Sequence, residues 1–133
     1  MERLTMGTWG PQNMDCDAAL DIRADESEKL LKRIVELAGS EAATQFDEYD
    51  HDLLFYSFEA LFALDTHGLF SWWECPTPEA AQALKVQHLE GWSVYFDEGA
   101  GASAEFTAQR RQVIEATFDR FIAGCQAQRD ARA

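Results

Sequence analysis

Apolar residues recur at helical spacing in four windows of this chain, and nowhere do they alternate with polar ones over a strand's length. In the first window Leu20, Leu30, Leu31, Ile34, Val35 and Ala38 share one helical face, with Ser27 as a gap in the stripe. Asp15 or Asn13 is placed to cap its start, Asp17 suits the positive end of the helix dipole, and Gly39 ends it. A short turn or half-helix over 41–46 leads to the second window, Leu54, Phe55, Phe58, Leu61 and Phe62, closed by Gly68. GLFSWWECPTP then reads as a loop or kinked connector. Thr77 before Pro78 predicts a third helix, because proline in the first position gives up no helical hydrogen bond. Leu84, His88, Trp92 and Tyr95 line one face of it. DEGAGAS is a turn, and Ser103 can cap a fourth helix striped by Phe106, Val113, Ile114, Thr117, Phe118, Phe121, Ile122 and Cys125. Residues 1–13 predict an irregular N-terminal segment with Trp9 tucked into the bundle end, and the polar residues 126–133 a frayed tail. The fold class is all-α: a single domain over 1–133, built as a compact bundle of about four amphipathic helices.

Charge changes the picture more than composition does. A chain of 133 residues, 47% hydrophobic and 12% aromatic, can bury a core without staples. Its 24 acidic residues against 11 Lys and Arg leave a formal net charge of -13. That surplus argues against nucleic acid and anionic membranes as partners, since both demand positive charge. It favours solubility, cation binding or a basic protein partner. The deficit of cations is local: between Ile34 and Leu84 stand ten acids and no Lys or Arg. Cys16, Cys75 and Cys125 are odd in number and widely spaced, which speaks against a disulfide framework and for a reducing cytoplasm. No uncharged apolar run of about 18 residues occurs, and MERLTMGTWG lacks the apolar core of a signal peptide.

The densest set of candidate ligands is Asp47, Glu48, Asp50, His51 and Asp52, just ahead of the second apolar run. Carboxylates in that place are what a helix dipole prefers, so a helix start is the ordinary reading and a docking face the next. A hard divalent cation on Asp47, Asp50, His51 and Asp52 is a weaker alternative, since the run lacks the EF-hand glycine and closing glutamate. His67 suits a helix C-terminus, and His88 reads as a hydrogen-bonded boundary residue. Cys75, before a proline in the connector, is the thiol expected to be most exposed, and Cys125 belongs to the core. Trp72 and Trp73 are adjacent and cannot both face inward from a helix, so the pair with Glu74 is either packing or a binding anchor. No phosphate-cradling loop, nucleophile elbow or zinc spacing is present, so no catalytic residue and no cofactor is assigned.

MGTWGPQNMDCDAALD at 6–21, VYFDE at 94–98 and RRQVIEATFDRF at 110–121 resemble the domain of unknown function 4259 family, small and mostly bacterial proteins. Met14 and Cys16 depart from the aromatic and the small polar residue expected at those places. The resemblance implies a small stand-alone protein and carries no activity; an immunity or accessory role is an analogy from it. Together these readings predict a small acidic cytoplasmic binding protein that neutralises a basic protein partner such as a toxin. Its contact residues would be Asp47, Glu48, Asp50, Asp52, Trp72, Trp73 and Glu74. The alternatives are a small metal-dependent enzyme, or a homo-oligomeric accessory protein, a homodimer for instance, docking through the tryptophans.

Overall fold

The computed structural model describes residues 7–97 and 103–133 and shows four α-helices. They are α1 (Asp17–Ala38), α2 (Tyr49–Thr66), α3 (Pro78–Asp97) and α4 (Ala104–Arg132), with one 3-10 turn at Ala42–Thr44 between the first two. No named strand occurs among the described residues; one isolated antiparallel bridge joins Thr8 and Cys16. The all-α expectation holds. Of the DEGAGAS turn, residues 98–102 lie outside the described residues, as do residues 1–6 of the N-terminal segment.

Local chemistry sets most of the boundaries. Thr77 Oγ1 accepts from Ala80 N at 3.1 Å and Ser103 Oγ accepts from Phe106 N at 3.1 Å, so both predicted caps are in place. Gly68, at φ 72°, lets the chain leave α2 in the left-handed region. The start of α1 differs from expectation: its N-cap is Cys16, with no side-chain cap. Asp15 is spent one turn earlier, where its carboxylate accepts from Gln12 N at 3.0 Å.

Side-chain ties show an up-down-up-down order. Arg23 and Ser27, in the first half of α1, reach Gly68 O and Ser71 N after the end of α2. Tyr95 at the end of α3 reaches Asp47 before the start of α2. Arg129 near the end of α4 pairs with Glu79 at the start of α3. The core lies between the four helices, around Leu31, Ile34, Leu54, Phe58, Leu61, Trp92, Ile114, Phe118 and Phe121. α2 and α4 meet through rings: Phe58 stands edge-on to Phe118 at 5.1 Å and to Phe121 at 5.3 Å.

Four sequence expectations about individual side chains need correction. Ser27 is buried, because its hydroxyl accepts the Ser71 N–H of the connector. Val113 is exposed and Phe106 only partly covered, by the ring of Phe46, since the buried stripe on α4 begins at Ile114. Trp9 is 51% exposed rather than tucked into the bundle. The tail does not fray: α4 runs to Arg132, whose guanidinium stacks over Trp73 at 3.9 Å and donates to its carbonyl, while Arg129 pairs with Glu79.

Trp72 packs flat against α4 at Gly124, with Phe121 beside it and its indole N–H on Asp65 at 2.9 Å. A Cβ on Gly124 would collide with the six-membered ring of that indole. Gly124→Ala gains about 1 kcal/mol of helix propensity but overpacks a rigid ring, which costs about 1–3 kcal/mol. The steric cost wins. A lower denaturation midpoint with a red-shifted tryptophan emission is expected; a stabilised variant would mean that Trp72 does not lie on this helix.

Candidate functional site

The acidic run sits at the end of the bundle where α2 begins and α3 finishes. Glu48 is the N-cap of α2, with no side-chain cap bond, and Asp50 and Asp52 fall in the first turn. Tyr95 on α3 donates to Asp47 at 2.8 Å, and this bond is the main reason its phenol is held above the ordinary value. Beside them lies a groove of about 400 Å³ between the 3-10 turn and α3, lined by Glu41, Thr44, Gln45, Gln87, Gly91 and Tyr95. Val94 on its lining is 56% exposed, and Tyr49, the first residue of α2, is 75% exposed.

The floor of this end is a buried polar strut. His51 is 1% exposed, and its Nδ1 lies 2.7 Å from Ala43 O while its Nε2 lies 3.1 Å from an Arg110 nitrogen. A carbonyl only accepts and a guanidinium only donates, so the network assigns the neutral ring with its proton on Nδ1. Burial lowers the His51 pKa, and Arg110 pushes the same way. Arg110 in turn lies over Phe55 at 4.7 Å, and burial lowers its pKa against the pull of Asp52. His88 stacks 6.0 Å from His51 and is fully buried, with no hydrogen-bond partner at either ring nitrogen among the described residues. It is thus a core group rather than a bonded boundary residue, and burial takes its pKa down to about 4.

These contacts correct the alternative metal reading. His51 points inward with both nitrogens engaged, so it does not join Asp47, Asp50 and Asp52. Among the described residues no three His, Cys, Asp or Glu converge where an ion could be held.

The seven residues expected to form one contact surface separate into two ends. Asp47, Glu48, Asp50 and Asp52 precede or open α2, whereas Trp72, Trp73 and Glu74 follow it. The 18 residues of α2 put about 27 Å between them. The two ends also differ in charge. At the connector end Glu79 is paired with Arg129, and Trp73, 60% exposed, carries Arg132 on its ring. Trp72 is packing, as described. At the other end residues 40–52 hold five carboxylates and no Lys or Arg. Asp47, Glu48, Asp50 and Asp52 enter no ion pair among the described residues.

Sequence reasoning missed Tyr49, Glu41 and Tyr95 as parts of this end. A usable signal existed for Tyr49: it lies off the Leu54–Phe58–Leu61 stripe and shares the outer face with Asp52, Tyr56 and Glu59, all exposed. The groove had none, since it depends on where α3 returns. What remains is a surface of carboxylates, a phenol and a cleft, with no nucleophile or base poised in it. Carboxylates without an ion pair at one end of the bundle leave a negative potential there that attracts cations. In three comparisons, no family model, curated protein or solved structure matches the chain. Among the described residues no helix is long and apolar enough to cross a membrane.

Proposed function

We propose that the chain is a small acidic binding protein that receives a basic segment of a partner protein at the end where α2 begins, as an inhibitor or immunity protein does. The observation that carries this reading is a run of carboxylates free of ion pairs, with only Asp52 under the influence of a nearby cation, Arg110, at the end of the bundle that holds the groove and the exposed Tyr49. A Lys or Arg side chain entering the groove would meet Glu41, and Asp47 is held at the groove's Tyr95. Tyrosine adds rigid contact area at low entropic cost. The stand-alone accessory role implied by the resemblance to the family of unknown function fits the same reading, as does a cytoplasmic location. Trp73 and Glu74 fall outside the contact surface, because Arg132 and the length of α2 separate them from it.

The test uses a short arginine-rich peptide as the probe, with binding kinetics measured at low and moderate salt. Asp47→Asn, Glu48→Gln, Asp50→Asn and Asp52→Asn in one chain should slow association at least about tenfold at low salt and flatten its salt dependence. Helicity should be unchanged. Glu74→Gln with Trp73→Ala should leave the rate near that of the parent. Equal rates for the parent and the four-residue variant would sink the reading.

A further inference from the structure

The opposite end of the bundle holds a second site that owes nothing to the acidic run. Cys75 lies in the connector and Cys125 on α4, fifty positions apart in sequence, yet both line one small cavity of about 150 Å³ with Pro76, Thr77, Arg129 and Arg132. The two thiols share the lining of that cavity, and each influences the other's titration. Cys125 is 1% exposed, while Cys75 is half-buried and is the one a solute can reach. Two reduced thiols on one small cavity, one accessible and one buried, form the arrangement of an attacking and a resolving cysteine.

We propose that Cys75 and Cys125 form a peroxide-responsive dithiol whose oxidation ties the connector to α4. The Cys75 thiolate attacks one oxygen of a small peroxide; an S–O bond forms, the O–O bond breaks, and the hydroxide that leaves takes up a proton. Cys125 then attacks the Cys75 sulfur, an S–S bond replaces the S–O bond, and water departs with the Cys125 proton. Two thiols are oxidised by two electrons, and hydrogen peroxide is reduced to two waters. The cavity favours a small oxidant. Burial raises both thiol pKa values, and Arg132 opposes this only in part at Cys75. The reaction is therefore slow at neutral pH and quickens as pH rises, because only the thiolate attacks.

The connector is where such a bond has consequence. It carries Trp72, which packs on Gly124 next to Cys125, and Trp73, which stacks under Arg132. Closing a loop of fifty residues also constrains the unfolded chain and raises the melting temperature.

The experiment treats the intact chain with hydrogen peroxide in native buffer, blocks the remaining thiols, and maps tryptic peptides. Cleavage at Arg33, Lys85, Arg120 and Arg129 places Cys75 on a 34–85 peptide and Cys125 on a 121–129 peptide. The expected result is a cross-linked pair of these two peptides that reduction separates, with Cys16 still free and helicity retained. The oxidised chain should melt at least about 5 °C higher than the reduced one. In a Cys125→Ser chain, peroxide should stop at oxygen-bearing forms of Cys75; in a Cys75→Ser chain, Cys125 should stay reduced. Three outcomes overturn the proposal: Cys75 passing to its sulfinic form in the parent without the cross-link, a cross-link formed only in denaturant, or a cross-linked chain that melts lower.

Discussion

Replacing Phe118 by alanine should cost about 3–5 kcal/mol of stability, read as a lower denaturation midpoint at unchanged slope. The side chain is 1% exposed and stands at the meeting point of three helices. Phe58 packs edge-on against it at 5.1 Å from α2, and His88 lies tilted beside it at 5.4 Å from α3. Phe55 closes the remaining side at 6.3 Å. Ring neighbours this rigid cannot collapse into the space left behind, so the cavity penalty adds to the lost transfer energy. Of the side chains that join α2 to α4, Phe118 meets both Phe55 and Phe58, so its loss opens the centre of that contact. A loss below about 1 kcal/mol would show that α4 presents a different face to the core.

The second large effect is a loss of stability in mild acid, and it comes from His88. Its folded pKa is lowered from 6.5 to about 4, first by burial and then by His51 and Arg110. Between those two values the unfolded chain holds a proton that the folded chain refuses. Stability from this group is therefore full above about pH 6.5 and falls as pH drops, by about 3 kcal/mol once pH reaches about 4. His51 acts in the same direction, because a proton on Nε2 would face the Arg110 guanidinium. Asp52 is the carboxylate near this cluster and softens the effect without reversing it. His88→Phe removes the titration and keeps a ring against Phe55 and Phe118. Its stability difference between pH 7 and pH 4 should be smaller than that of the parent by about 3 kcal/mol. Equal pH profiles would place His88 in contact with water or with a carboxylate.

The helices were legible because their stripes are regular. Leu54, Phe58 and Leu61, or Ile114, Phe118 and Phe121, can be packed only by a helix of this phase, and the Thr77–Pro78 and Ser103 starts are local chemistry. What escaped depends on partners far along the chain. Ser27 reads as a gap until Ser71 supplies an N–H from 44 residues away. The tail reads as polar and loose until Glu79 and Trp73 hold Arg129 and Arg132. Cys75 and Cys125 look isolated until the connector folds back. His51 looks like a member of an acidic ligand cluster because it sits among aspartates, yet the helix turns it inward to Ala43 and Arg110. The candidate site was legible as charge and not as shape. The carboxylates of 47–52 were in view from the start, whereas their distance from Trp73 is fixed by the length of α2 and the groove by the return of α3.

Recognition of positive charge at the start of α2 is the central claim, and amide chemical shifts mapped during a titration test it most directly. The probe is the arginine-rich peptide, added at low salt to the uniformly labelled intact chain. Shifts are expected to concentrate at 40–52 and at Gln87, Gly91 and Tyr95, where the carboxylates and the groove lie. They should shrink together as salt shortens the screening length to about 10 Å at 0.1 M. Shifts centred on Asp65, Trp73 and Glu79, or spread evenly over every acidic residue, would contradict the claim.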